Sequence, residues 1–168
     1  ALIMKKSIFL LMIFACAVSV QAYDFKAANA DGCEIAYKFN ADGNSVSVTY
    51  TAKGSRRNPR NYADFLCDTM RIPESVVYNN QRYTVTSLDS MCFRFLNRDI
   101  KVLVLPATID SIVFFEEYNG DHYADASAFY GNGFQSIIVA DNNPKYMTEY
   151  GILYSKDQTV LLAYPAGN

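Results

Sequence analysis

Ile100-Lys-Val-Leu103-Val-Leu105-Pro106 is the central copy of a phrase that occurs three times in this chain. The other two copies are Cys67-Asp-Thr-Met70-Arg-Ile72-Pro73 and Phe134-Gln-Ser-Ile137-Ile-Val139-Ala140. Each copy has apolar residues at its first, fourth and sixth positions, and successive copies begin about 33 residues apart, a period in the range of stacked repeats. The repetition therefore predicts an array in which each repeat packs on its neighbours, rather than an enzyme pocket.

Alternating segments on both sides of the repeats predict β-hairpins. Residues 34–39 and 45–50 alternate around a turn, and the residues on either side of the turn at 155–158 have the same pattern. Alternation interrupted by turn residues is the usual signature of a hairpin. We therefore expect residues 23–62 to form an N-terminal hairpin cap, residues 63–145 the repeats, and residues 146–168 a C-terminal hairpin.

Residues 1–22 are typical of a bacterial secretory signal that begins at Met4, with residues 1–3 upstream of it. Met4-Lys5-Lys6 leads into an apolar run from Ile8 to Val18, and Val20-Gln21-Ala22 supplies a cleavage site. The run is shorter than the roughly 20 residues that span a bilayer. We expect an exported protein that begins at Tyr23 and is extracellular or on the bacterial cell surface. As an alternative to cleavage after Ala22, Ile13-Phe14-Ala15-Cys16 resembles a site at which the new N-terminal cysteine is lipidated. Contact with a membrane is expected only if Cys16 is lipidated.

Charge and cysteine content exclude several classes of partner. The chain has 15 basic and 17 acidic residues, and it becomes more acidic when the two leader lysines are removed, which argues against nucleic acid. Cys33, Cys67 and Cys92 then remain, and an odd number permits at most one internal bridge. The apolar settings of Cys67 and Cys92 favour small buried residues. With His122 as the single histidine and no CxxC pair, the sequence predicts neither a metal nor a cofactor.

Further short motifs follow one another along the chain in a characteristic order. They are Ile72-Pro73-x-x-Val76, Tyr83-x-Val85-Thr-Ser-Leu88, Ala128-Phe129-Tyr130-Gly131, and Asp141-x-Asn-Pro144-x-Tyr146 followed by Gly151-Ile-Leu-Tyr154 and Tyr164-Pro-Ala-Gly167. Together they resemble the BspA-like leucine-rich-repeat surface proteins of bacteria. The resemblance implies a mostly β leucine-rich-repeat solenoid, with a short parallel sheet on one face and turns or short helical pieces on the other, flanked by β-hairpins. It also implies an exported or surface-attached protein of the kind associated with adhesion.

Strand alternation predicts which side chains of the repeats face away from the core. If the fourth and sixth positions of each copy face inward, Arg71, Val104 and Ile138 form one outward column, and Val102 belongs to the neighbouring column. A large exposed apolar patch usually marks an interaction site, so these residues are candidates for partner binding. The alternative is that a cap or the insert before Ala128 covers them.

The insert before Ala128 provides a second candidate site. Tyr118, His122 and Tyr123 lie close together there, and tyrosine supplies contact area and a hydrogen bond at a low entropy cost. No phosphate loop, nucleophile elbow or zinc-protease motif occurs, and His122 lacks an evident nucleophile for a triad. The sequence therefore predicts that the chain is not an enzyme.

These patterns predict a secreted or cell-surface leucine-rich-repeat module that binds an extracellular protein or glycan in adhesion or recognition. The first alternative is a truncated structural fragment that self-associates through an exposed terminal repeat or assembles with a longer chain. The second alternative is a hydrolase. Because a fold does not specify a ligand, the partner is not identified by the sequence.

Overall fold

The computed structural model describes residues 23–49, 68–93, 100–114, 116–118, 121–123, 127–129 and 133–165. Within these ranges all regular secondary structure is β-strand, so the mostly β expectation is confirmed there, and the described residues contain no helical piece. The strands are β1 (Phe25–Ala28), β2 (Glu34–Phe39), β3 (Ser45–Thr49), β4 (Thr69–Arg71), β5 (Ser75–Tyr78), β6 (Gln81–Leu88), β7 (Val102–Leu105), β8 (Ser111–Ile112), β9 (Glu116–Tyr118), β10 (Asp121–Tyr123), β11 (Ser136–Val139), β12 (Tyr146–Glu149), β13 (Ile152–Ser155) and β14 (Leu161–Ala163).

The largest sheet has the strand order β1-β2-β3-β6-β5, with β8 beside the C-terminal part of β6. The predicted N-terminal hairpin is present as β2 and β3, and β1 adds a third antiparallel strand. β5 and β6 form a tight hairpin in which Asn79 and Asn80 both have positive φ, as a two-residue turn of type I′ requires. Because β3 pairs in parallel with β6, this sheet joins residues of the predicted cap to residues of the predicted repeats.

This sheet curls until its two outer strands approach each other. Phe25 on β1 stacks on Tyr78 of β5 with ring centroids 4.3 Å apart, although these strands lie at opposite ends of the strand order. Phe39 and Tyr83 belong to the same aromatic cluster, with centroids 5.0 Å apart. Rings at such separations attract one another in addition to burying apolar area. The sheet is therefore nearly barrel-like, and the expectation of a regular solenoid stays a prediction.

The repeated phrases form a separate sheet of three parallel strands in the order β11-β7-β4. The strands pair in phase, so that Met70, Leu103 and Ile137 lie opposite one another. All three side chains are buried, as are the sixth-position residues of the three copies, Ile72, Leu105 and Val139. The parallel sheet is as the family resemblance implies, and the buried positions are those that strand alternation predicts.

The C-terminal part forms a three-stranded antiparallel sheet in the order β12-β13-β14. The predicted hairpin corresponds to β13 and β14, and β12 is an additional strand. Leu153 on β13 is fully buried, so this sheet packs on the core through the face that carries Leu153.

A buried asparagine fixes the chain between the repeat sheet and the C-terminal sheet. The Asn143 side chain is 1% exposed, and its Nδ2 donates to the carbonyl oxygens of Pro106 and Ile109 at 3.2 and 2.8 Å. Its Oδ1 accepts hydrogen bonds from the backbone N–H groups of Lys145 and Tyr146, both at 2.8 Å. One side chain therefore ties the second repeat to the residues that begin β12.

The cysteines of the described residues differ in state. Cys33 is disulfide-bonded, whereas Cys92 is a free, buried thiol. Burial, together with the negative charge of Asp89, raises the pKa of the Cys92 thiol, which makes it a poor nucleophile at neutral pH. The expectation of a buried Cys92 is confirmed, and Cys67 lies outside the described residues.

Candidate functional site

The outer face of the repeat sheet presents two columns of side chains in register. Arg71, Val104 and Ile138 form one column, and Thr69, Val102 and Ser136 form the other. Residues of both columns are exposed or half-buried, whereas the positions between them are buried, because side chains alternate between the two faces of a strand. The structure therefore brings together the four repeat-sheet residues that the sequence predicts as partner-binding.

The aliphatic part of this outer face lies on β7 and β11. Ile138 is 46% exposed, while Val102 and Val104 are half-buried. Val102 lies beside Ser136, and Val104 lies beside Ile138 on the next strand. The result is a small apolar surface that is accessible to a partner.

Arg71 closes one side of the outer face, and its position is set by the N-terminal strands. Its Nη1 donates to Asp31 Oδ1 at 2.6 Å, and the Asn29 side chain donates from Nδ2 to the Arg71 carbonyl oxygen at 2.8 Å. The Asn29 Oδ1 also accepts hydrogen bonds from the backbone N–H groups of Asp31 and Cys33, which holds the β1–β2 turn in shape. This turn therefore covers the outer edge of β4.

The opposite side of the outer face is closed by the C-terminal sheet. The Ile137 N–H donates to the carbonyl oxygen of Gly151 at 2.9 Å, and the Val139 N–H donates to Thr148 Oγ1 at 3.2 Å. Gly151 has a φ of 78°, and a Cβ added there would lie 2.7 Å from Ser136 Oγ. The β12–β13 turn therefore packs directly on Ser136, and only glycine fits this approach.

The residues of the second predicted site lie in the hairpin of β9 and β10. Tyr118 is paired with Asp121, and His122 with Glu117, through backbone register. The structure does not describe the side chains of this hairpin, so the proposed role of Tyr118, His122 and Tyr123 stays a prediction.

An open cleft of about 290 Å³ lies between β11 and the C-terminal sheet. Lys156 crosses it and donates from Nζ to the carbonyl oxygen of Asp141 at 2.8 Å. The lining residues are Val139, Ala140, Asp141, Met147, Thr148, Lys156 and Gln158. The sequence does not reveal this cleft because its walls come from three separate segments.

Within the described ranges, no group of three or more metal-ligating side chains comes together. Those ranges also contain no helix that is long and apolar enough to cross a bilayer.

Two aspartates of the described residues have pKa values below the ordinary range, and both shifts have local causes. Ser45 Oγ and backbone N–H groups donate hydrogen bonds to Asp42, and Ser155 and Thr159 donate hydrogen bonds to Asp157. Both carboxylates are therefore turn-stabilising groups.

No family model matches the chain, and no curated protein matches it. Among solved structures, a leucine-rich repeat protein from Bacteroides capillosus is 20% identical over 71% of this chain and 68% of its own, with a TM-score of 0.43. A leucine-rich repeat protein from Eubacterium ventriosum is 23% identical over 59% of this chain and 21% of its own, with a TM-score of 0.36. A leucine rich cell surface protein from Faecalibacterium prausnitzii is 15% identical over 72% of this chain and 25% of its own, with a TM-score of 0.38. The chain thus spans a quarter or less of the length of the last two proteins.

Proposed function

We propose that this chain is a secreted or cell-surface leucine-rich-repeat module that binds an extracellular protein or glycan, without catalysis of its own. The observation that carries the proposal is the accessible apolar surface of Val102, Val104 and Ile138, which is in register across β7 and β11. Apolar side chains gathered on one solvent-facing surface favour an interaction site. These three residues lie outside the buried core, so their apolar character favours a role in binding.

The border of this surface adds polar recognition. Arg71 is 54% exposed in its side chain even though it pairs with Asp31, and a guanidinium has five N–H donors. Donors beyond the one used by Asp31 remain for a partner. A ligand with an apolar group over Val104 and an oxygen acceptor near Arg71 fits this arrangement, whether the ligand is a protein loop or a glycan.

The disulfide at Cys33 supports the exported location. Disulfides persist in oxidising compartments and are rare in the reducing cytosol. This bond and the secretory pattern of residues 1–22 are independent observations, and both favour a protein that acts outside the cytoplasm.

The proposal is tested by binding of the predicted secreted chain, Tyr23–Asn168, to an array of extracellular-matrix proteins, mucins and glycans. Val104→Asp places a charge at the centre of the outer face, opposite Arg71, and we expect it to weaken binding at least about tenfold, because the apolar contact is lost and a carboxylate must be desolvated when the ligand binds. The matched control is Val77→Asp, since Val77 is 56% exposed on β5 in the other sheet. The control is expected to bind like the unmodified chain.

Two results contradict this proposal. Equal affinity of Val104→Asp and Val77→Asp for a saturable ligand places the binding site elsewhere. A large fall in melting temperature for Val104→Asp alone shows that Val104 is a core residue, not a surface one.

A further inference from the structure

The two columns of the outer face contain a single charged residue, Arg71. Asp31 reaches it from the β1–β2 turn, with 2.6 Å between Asp31 Oδ1 and Arg71 Nη1. The exposed residues that precede the strands, Asp68 and Lys101, carry opposite charges. Across the two columns and the residues that lead into them, Asp31 therefore balances the one charge that would otherwise be uncompensated.

The β1–β2 turn keeps its place on β4 without this ion pair. Asn29 Nδ2 donates to the Arg71 carbonyl oxygen at 2.8 Å, and Asn29 Oδ1 accepts hydrogen bonds from the backbone N–H groups of Asp31 and Cys33. Cys33 is in addition disulfide-bonded. Because an ion pair at the surface contributes little to stability, the Asp31 carboxylate matters more for the charge that a ligand meets than for the fold.

The outer face is small compared with a protein–protein interface. Neighbouring strands lie about 4.8 Å apart and rise about 3.3 Å per residue, so the two columns cover an area on the order of 100 Å². The β1–β2 turn borders the face on one side and the C-terminal sheet on the other. A stable protein interface buries about 800 Å² on each partner. The face is therefore too small to hold a protein partner by itself, whereas one or two sugar units fit it.

Arg71 and Asp31 offer hydrogen-bond donors and acceptors side by side. Asp31 takes up one N–H of Arg71 Nη1, while a guanidinium has five N–H groups and a carboxylate accepts several hydrogen bonds. A hydroxyl both donates and accepts, so two hydroxyls on neighbouring carbons of a sugar can meet the carboxylate and the guanidinium together. The N–H and C=O of a trans peptide point in opposite directions, so one peptide group does not match this pair.

An anionic group gains less here than it would at an arginine without an acidic neighbour. A sulfate or carboxylate that approaches Arg71 also approaches Asp31, and like charges brought together in an interface are costly. Discrimination between ligands often depends on such a repulsive element. Val104 lies opposite Arg71 on the next strand and offers an apolar contact to the C–H groups of a sugar ring.

We propose that Asp31 is a specificity-determining residue, which makes the outer face select an uncharged glycan and reject anionic ones. Asp31 accepts a hydrogen bond from a sugar hydroxyl, Arg71 donates to a neighbouring one, and Val104 and Ile138 pack against the ring. This inference rests on the proposed function and narrows its ligand class from an extracellular protein or glycan to a neutral glycan.

A binding comparison on Tyr23–Asn168 tests the proposal with three sets of probes: neutral oligosaccharides, sulfated forms of the same oligosaccharides, and extracellular proteins freed of glycans. We expect saturable binding of a neutral oligosaccharide, with its sulfated form bound at least about tenfold more weakly. Asp31→Asn leaves the charge of Arg71 uncompensated, so the ratio of the two affinities should shift at least about tenfold toward the sulfated form.

The matched control is Asp141→Asn, which changes the net charge equally. Asp141 is exposed and follows β11, at the opposite side of the repeat sheet from Arg71, so this variant should keep the ratio of the unmodified chain. The melting temperature of Asp31→Asn should stay close to that of the unmodified chain, because the ion pair is exposed.

The outcomes separate this inference from the proposed function. A chain that binds none of the probes refutes both. Binding of a protein alone, equal binding of neutral and sulfated oligosaccharides, or an unchanged ratio in Asp31→Asn refutes the inference and leaves the proposed function standing.

Discussion

Replacing Asn143 with alanine tests the connection between the repeats and the C-terminal sheet. The change removes three short hydrogen bonds at 2.8 Å, one to the Ile109 carbonyl oxygen and two from the N–H groups of Lys145 and Tyr146. Each bond contributes about 1 kcal/mol net, and an unsatisfied buried partner costs at least as much. We therefore expect the free energy of unfolding to fall by about 3 kcal/mol.

The matched control is the neighbouring asparagine. Asn142 is exposed, so Asn142→Ala is expected to change the free energy of unfolding by less than about 0.5 kcal/mol. The assay is guanidinium-induced unfolding followed by far-ultraviolet circular dichroism, with thermal melting in parallel. For a chain of this size a loss of 3 kcal/mol lowers the melting temperature by about 10 °C. If both alanine variants unfold at the same denaturant concentration, the Asn143 side chain does not hold the two parts together.

Three further predictions concern single side chains. Tyr37 is fully buried, and its hydroxyl has no hydrogen-bond partner among the described residues. Because Tyr37→Phe removes this unsatisfied group, it should leave the melting temperature unchanged or raise it. A clear fall in melting temperature would show that the hydroxyl does have a hydrogen-bond partner. Cys92 should react with a thiol reagent only after denaturation, because its thiol is free and buried, whereas Cys33 should not react without a reductant, because it is disulfide-bonded; labelling of Cys33 without a reductant would contradict this. Hydrogen bonds lower the pKa of Asp42. The ionised side chain therefore stabilises the folded protein above the ordinary carboxyl pKa, and this stabilisation is lost as the pH falls through the lowered pKa of the folded state. Asp42→Asn should flatten the acid side of a plot of unfolding free energy against pH, and an unchanged plot would count against the effect.

The parts of the fold that the sequence predicts are those that follow from local periodicity. Apolar positions shared by the three copies place Met70, Leu103 and Ile137 in one buried row, and alternation then places Val104 outside. The ion pair of Arg71 with Asp31 was not predictable, because these residues are 40 positions apart in sequence and meet only when the β1–β2 turn docks on β4.

The strand β12 was missed for a related reason. Tyr146–Glu149 does not alternate clearly between apolar and polar residues, and it becomes a strand because Asn143 positions its first residues and β13 pairs with it. The parallel pairing of β3 with β6 is another tertiary effect, since no local signal states which strand will lie beside a given edge. Local patterns therefore predicted the strands, while the partners of several strands required the three-dimensional structure.

The parallel pairing of β3 with β6 sets an order of events during synthesis. A chain that emerges from its N-terminus can form the β2–β3 hairpin at once, but the second edge of β3 has no partner until residues 84–88 have emerged. The last part of β6 in turn waits for Ser111 and Ile112 of β8. Pairings between residues distant in sequence form slowly, because a long loop must close first. The N-terminal half should therefore stay loosely folded until most of the repeats have been synthesised. A chain that is still loosely folded can pass through a channel too narrow for the folded protein.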